Sequence, residues 1–261
     1  MCLQTGQKVQ ERAEMPIDIS RANFSLAQHC FFFDLDGTLA PIVDDPSTVA
    51  IPDDFKPALA RLYSQTGGAV AILTGRGLSD ALTILDPLPL PVVGSHGLEY
   101  DARLGGSGDQ SSAQAALKEV LAPLQAFAAA KDLKLECKPG AIALHYRHAP
   151  EHAVAAQRTI DNVASFASGL RALHGKMVSE VTVASVDKGT ALTTLMSRTE
   201  FAGRVPVMVG DDVTDEDGFS AAQSWGGCGI KIGSGETCAK YRAETMAEFH
   251  HWLAKLVAEG K

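Results

Sequence analysis

Little in this chain suggests a covalent or metal-bound cysteine framework. Its five cysteines, Cys2, Cys30, Cys137, Cys228 and Cys238, are odd in number and scattered without CxxC spacing. That usage favours reduced thiols and a cytoplasmic location over a disulfide frame or a zinc site. Positive charge is also in deficit: the formal net charge of −8 opposes the basic footprint that binding a phosphate backbone requires, so no nucleic acid is expected as partner. No apolar run approaches the roughly 20 residues of a membrane span, so no membrane partner is expected either. The leader MCLQTGQKVQERAEMPIDIS is mixed and charged and lacks the apolar centre of a secretory signal. Residues 1–26 are therefore read as a flexible tail. What the chain does have is 261 residues with 46% hydrophobic content, enough to bury a full core as one large domain or two modest ones.

That hydrophobic content is patterned. HCFFFDLD, GGAVAILTGR, PVVGSHG, VPVMVGDD and GGCGIKIG are short, nearly continuous apolar runs that end in Gly or polar residues, as expected of strands covered on both faces. Between them, PDDFKPALARLYSQTGG shows helical spacing through Phe55, Leu59 and Leu62, and DKGTALTTLMSR repeats it with Leu192, Leu195 and Met196. Alternating strands and helices predict an α/β fold, a Rossmann-like doubly wound parallel sheet whose ligands sit at the carboxyl ends of the strands. Three of these runs end in polar groups: Asp34 and Asp36, Thr74 to Arg76, and Asp211 to Asp217.

The middle of the chain follows another rule. A Gly- and Ser-rich stretch, DARLGGSGDQSS, precedes a helical segment near Ala113 to Ala130, and LKLECKPGAIALHYRHA then alternates between polar and apolar residues. Leu133, Leu135 and Cys137 share one face, with Lys134, Glu136 and Lys138 on the other. Past Pro139 and Gly140, Ile142, Leu144 and Tyr146 oppose Ala143, His145 and Arg147. A two-residue loop would place Glu136, Lys138 and His145 on one polar face, although Pro-Gly favours a type II turn that suits tight hairpins poorly. A further helix, EHAVAAQRTIDNVASFASGL, and the strand KMVSEVTVA complete a small α+β unit. The expected organisation is a core of residues 27–103 and 185–261 with an inserted α+β cap domain at 104–184.

Two carboxylates at i and i+2 near a strand end, Asp34 and Asp36, can share a cation, and Asp211, Asp212 and Asp215 offer further oxygens from a second strand end. Oxygen ligands of this kind suit Mg2+, which also binds substrate phosphate. One aspartate can then act as nucleophile towards a phosphate ester and the other as general acid and base. Thr74 and Lys188 supply a hydroxyl and a cation for the equatorial phosphoryl oxygens. Gly75 and Arg76 follow Thr74 directly and are read as a bridge from core to substrate. His96 and Glu99, in GSHGLEY, are placed near the site.

DLDGTL, ILTGR, DKG and GDDVTDEDGF, in that order over about residues 30 to 240, resemble the four motifs of the haloacid dehalogenase superfamily of phosphotransferases. The resemblance implies Asp34 as nucleophile, Asp36 as general acid and base, Thr74 and Lys188 as phosphate ligands, and Asp211 with Asp215 as metal-holding acids. An insert between Thr74 and Lys188 is similar to the sugar-phosphatase branch with a C2-type α+β cap. With GSHGLEY, LECKPGAIALHYR and GKMVSEV added, the chain resembles the trehalose-6-phosphate phosphatase family of trehalose biosynthesis. That resemblance implies that Glu136, Lys138 and Glu180 hydrogen-bond the sugar, while Arg147 and His145 belong to the same wet hairpin side. The expected partner is a small-molecule sugar phosphate, with the protein a monomer or weak homo-oligomer. A sucrose-phosphate or mannosylglycerate-phosphate phosphatase is an alternative, as is a phospho-accepting receiver-like signalling domain, against which the large insert and the DxDGT spacing argue.

Overall fold

The computed structural model describes residues 15–105, 110–138, 140–184 and 186–260. Twelve strands are assigned among them: β1 (Ile17–Asp18), β2 (His29–Phe33), β3 (Val70–Leu73), β4 (Val92–Gly94), β5 (Glu99–Tyr100), β6 (Lys134–Lys138), β7 (Ala141–His145), β8 (Leu170–Gly175), β9 (Val178–Val183), β10 (Val205–Gly210), β11 (Cys228–Ile232) and β12 (Tyr241–Ala243). Seven helices accompany them: α1 (Lys56–Gln65), α2 (Leu78–Leu85), α3 (Gln110–Lys131), α4 (Ala153–Phe166), α5 (Lys188–Met196), α6 (Asp215–Ser224) and α7 (Met246–Glu259).

Eight strands form the larger sheet in the order β1-β12-β11-β10-β2-β3-β4-β5, parallel throughout except where β4 meets β5. The central strand β2 explains why three phenylalanines stand in a row. Phe31 and Phe33 enter one apolar layer with residues of α1, α2 and α7, and Phe32 enters the opposite layer with residues of α5 and α6. All three are fully buried, each contributing roughly 1.5–3 kcal/mol by burial. The chain leaves β2 towards β3 on one side, while β10 returns on the other. The order of strands therefore reverses between β2 and β10, which opens a crevice beyond their carboxyl ends.

The other four strands form an antiparallel sheet in the order β6-β7-β9-β8. Lys138 pairs with Ala141, so the β6–β7 hairpin closes over two residues. Directly paired residues share a face, and Glu136, Ala143, Glu180 and Leu173 accordingly lie in one row across the sheet. The opposite face, with Ile142, Leu144 and Val181, packs under α3 and α4. This α+β unit, spanning Gln110–Val183 within the chain, is inserted between β5 and α5.

Two expectations need correction. The residues just before position 27 are not a tail: β1 pairs with β12, and Ile19, Phe24 and Leu26 are buried in the main core. A two-residue strand has too little pattern to be read, and its apolar neighbours looked scattered among charges. The remainder of the tail, residues 1–14, lies outside the described residues. The helix expected to run to Leu170 stops at Phe166, and Leu170–Gly175 instead forms β8, paired with β9.

Candidate active site

Adjacent strand ends bring the acids together. The Asp34 amide still donates to the Val209 carbonyl at 2.9 Å, so the β2–β10 ladder itself fixes the Asp34 backbone. Asp211 follows the end of β10, and Asp215 begins α6. One carboxylate oxygen from each of Asp34, Asp211 and Asp215 lies within 4.8 Å of the others. Gly37 makes the approach possible. Its φ is +78°, and a Cβ there would fall 2.2 Å from Asp211 Oδ2, so a side chain would occupy the space the carboxylate now fills.

Lys188 sits at the first position of α5, whose start is fixed by a reciprocal cap. The Asp187 carboxylate accepts from the Thr190 amide at 2.7 Å, and the Thr190 hydroxyl accepts from the Asp187 amide at 3.0 Å. From there Lys188 Nζ donates to Asp34 Oδ1 at 2.7 Å and to Asp215 Oδ1 at 2.6 Å. Burial alone would favour its neutral form, but Asp215 and Asp34 overcome that and raise its pKa, keeping it charged.

One ammonium does not balance three carboxylates. Burial pushes the Asp34 carboxyl well above the usual range, Asp215 and Asp211 add to this, and Lys188 pulls against it. Burial, followed by the nearby Asp215, pushes Asp211 up to about 7. Asp211 Oδ1 is buried with no hydrogen-bond partner. Like charges at about 4 Å repel by about 4 kcal/mol at an effective dielectric near 20. Unsatisfied oxygen, excess negative charge and an all-oxygen donor set together fit a divalent hard cation.

Asp36 and Asp212 were expected among the ion's ligands, but both lie outside this cluster. Past the end of β2 the chain turns, and the Asp36 carboxylate accepts from Arg76 Nε at 2.6 Å and from Arg76 Nη2 at 2.8 Å. Arg76 also reaches Asp80 at 2.7 Å. Asp212 is exposed, and its contribution is a backbone amide donated to Asp215 Oδ2 at 3.0 Å. Thr74 is buried at the end of β3, and its hydroxyl accepts from the Arg76 amide at 3.2 Å. Lys231 escaped the sequence reading. It is buried in β11 and donates to the Asp211 carbonyl. A lone lysine inside the apolar run CGIKI was the available signal.

The face of the smaller sheet that bears Leu173 and Glu180 meets the larger unit across a cleft reaching Asp212–Thr214, the loop between Asp211 and Asp215. Glu180 Oε1 accepts from Lys138 Nζ at 3.1 Å, and its Oε2 stands 3.7 Å from His96 Nε2, a contact between the two sheets. The His96 ring lies over Gly75, where a Cβ would sit 2.6 Å from Cε1. Burial works against the charge on Glu180, but His96 and Lys138 outweigh it and hold its pKa down to about 2. Beside it, His145 Nε2 and Glu136 Oε2 are 2.7 Å apart. Arg147 reaches back to Asp44 of the larger unit at 3.3 Å. Glu99 faces elsewhere: its carboxylate accepts from the Ser95 hydroxyl at 2.6 Å and the Leu78 amide at 3.0 Å, at the start of α2. His96, Glu180, Leu173, Val178 and Val213 border a cleft of about 340 Å³, part of it open to solvent.

The family model for trehalose-phosphatase matches residues 32–248, from β2 through the smaller sheet into α7. The chain belongs to the trehalose-phosphatase family. Trehalose-6-phosphate phosphatase of Escherichia coli K12 is 34% identical over 228 residues, covering 87% of this chain and 86% of the relative. Among solved structures, the C-terminal domain of trehalose-6-phosphate phosphatase from C. albicans superposes with a TM-score of 0.68 at 20% identity, over 89% of this chain and 92% of that one. A phosphatase of the haloalkanoate (HAD) superfamily from Bacteroides thetaiotaomicron gives a TM-score of 0.61 at 19% identity, over 89% and 96%. These two likenesses establish the fold. As a trehalose-phosphatase family member the protein is an enzyme, a phosphoric monoester hydrolase, and the receiver-like alternative is set aside. Among the described residues, no helix is long and apolar enough to cross a membrane.

Proposed function

We propose that this phosphatase hydrolyses trehalose 6-phosphate to trehalose and inorganic phosphate, with Asp34 as nucleophile and Mg2+ as cofactor. The observation that carries this reading is the position of Asp34: buried, gripped by Lys188 at 2.7 Å, and clustered with Asp211 and Asp215. The smaller unit, taken as a cap over residues 104–184, then covers the substrate and supplies its sugar contacts.

In this reading Lys188 holds Asp34 Oδ1, leaving Oδ2 to attack phosphorus as the bond to the sugar oxygen breaks. Asp36 gives its proton to the departing sugar oxygen, then takes one from the water that attacks the aspartyl-phosphate. Asp36 must first give up part of its bidentate grip on Arg76. Thr74 and Lys188 donate to the equatorial phosphoryl oxygens. Asp34, Asp211 and Asp215 would hold Mg2+, whose positive charge offsets the repulsion between an anionic nucleophile and an anionic phosphate. Asp212 is left as a solvent-side neighbour of that site. Glu136, Lys138 and Glu180 are assigned to the sugar hydroxyls, with His96, Gly75 and Arg76 lining the core side and His145 and Arg147 steadying the cap. Cap closure excludes bulk water during the first transfer.

The test is phosphate release from a panel of sugar phosphates, with Mg2+ and with a chelator. A clear preference for trehalose 6-phosphate that disappears on chelation is the expected result. Equal rates on sucrose 6-phosphate, glucose 6-phosphate and trehalose 6-phosphate would reject the substrate assignment, and full activity after chelation would reject the cofactor.

A further inference from the structure

The loop that carries the nucleophile is tied to the far end of the chain. His250, in α7, contacts the Thr38 carbonyl through Nε2 at 2.9 Å. A carbonyl only accepts, so Nε2 carries the proton. Burial lowers the His250 pKa, and a ring kept neutral has a single N–H to give. The ring is also fixed in plane, stacked on Phe55 with centroids 3.6 Å apart and an angle of 6° between planes. Thr38 itself is fully buried, and its hydroxyl has no partner. His250 lies beyond residue 248, where the family match ends.

Between Asp34 and Ala40 the loop makes its own backbone bonds. The amides of Leu39 and Ala40 both turn back to the Leu35 carbonyl at 2.9 Å, and Gly37 donates to Ala40 at 2.7 Å. These bonds close the turn on itself, while its near end is held by the β2–β10 ladder at Asp34 and the Asp36 side chain by Arg76. The His250 bond ties down the backbone at the far side of the turn, four residues from Asp34 and two from Asp36. We infer that His250 is a positioning residue: its N–H on the Thr38 carbonyl fixes the far side of the turn that follows Asp34, and with it the orientation of Asp36 towards the Asp34 carboxylate. It touches no reacting atom, and its effect belongs on the chemical step, since small errors in reactant alignment are costly.

This inference rests on Asp34 as nucleophile, and the tests of the two are separable. His250→Phe keeps the stacking ring and loses the N–H, whereas His250→Gln restores a donor near the position of Nε2. For the Phe variant we expect kcat on trehalose 6-phosphate to fall about tenfold with KM within about twofold, at an unchanged melting temperature. The Gln variant should recover most of that loss. Single-turnover formation of the phosphoenzyme should slow in parallel with kcat. If the Phe variant does not fold, His250→Asn, whose shorter amide stops short of Thr38, is read the same way. Wild-type kcat in the Phe variant overturns the role, as does a loss that Gln leaves uncorrected and that follows the melting temperature. A wild-type enzyme inactive on trehalose 6-phosphate would instead overturn the substrate reading, and the same kinetics would then be taken on the sugar phosphate that is turned over.

Discussion

Asp34 and Lys188 make the sharpest demands at the scale of single residues. Asp34→Asn keeps the shape and removes the proposed nucleophile, so turnover should drop below about one thousandth of the wild-type rate while the melting temperature holds within a few degrees. Phosphate release and thermal denaturation on one preparation check both halves. Lys188 is a different case, because it is 2% exposed and bonded to two buried carboxylates. Replacing it by Met leaves those charges buried and uncompensated, a loss on the order of 3–5 kcal/mol. Denaturant unfolding in the presence of chelator should show that loss in full, with Mg2+ restoring part of it. A Lys188→Met protein as stable as wild type would mean that the buried charges do not depend on this ammonium.

At the scale of elements, the strand-end turns do the positioning, and Gly37 is the most exacting point in them. Gly37→Ala requires a positive φ of an L residue and puts a methyl group against Asp211. Weaker divalent cation binding by calorimetry is expected, at least tenfold, together with a destabilisation of about 1–3 kcal/mol. The sequence disclosed this layer best. Three Phe ahead of Asp34 and VPVMVG ahead of Asp211 are buried strands because both faces of the sheet are covered, and that leaves an apolar run with an acid at its end. Asp187, which caps α5, is of the residue type that favours such positions. Arg76 on Asp36, Glu99 at the start of α2 and His250 on Thr38 were hidden, since each joins groups 21 to 212 residues apart and nothing in local pattern encodes such a distance. The short strands β1 and β8 were missed for the opposite reason: one is two residues long, and the other carries Arg171 and His174 among its apolar residues.

For the whole molecule, the question is how the two sheets hold together over the cleft. Among the described residues, polar ties cross it at Glu180 with His96, Arg147 with Asp44, and Arg171 with Asp217 at 3.0 Å. The tie at Asp44 is solvent-exposed and should contribute little. The Glu180 tie is buried and carries a sign that can be tested. Its pKa is held below the ordinary 4.5, at about 2, so its stabilisation is complete above pH 4.5 and disappears as pH falls through about 2. The size is on the order of 3 kcal/mol. Between those limits wild type should lose stability on acidification more steeply than Glu180→Gln, as measured by urea midpoints. Equal slopes would show that Glu180 is no better paired in the folded protein than in the unfolded chain.

Gly97, a few residues before the chain departs for the smaller sheet, rests against the backbone of Asp187, just after it comes back. A segment flanked by stretches that pack against each other can be cut out and exchanged without stretching what it leaves behind. Chimaeras spliced at these seams, with a relative's insert in place of this one, would inherit new taste for substrate while their hydrolytic machinery stayed intact.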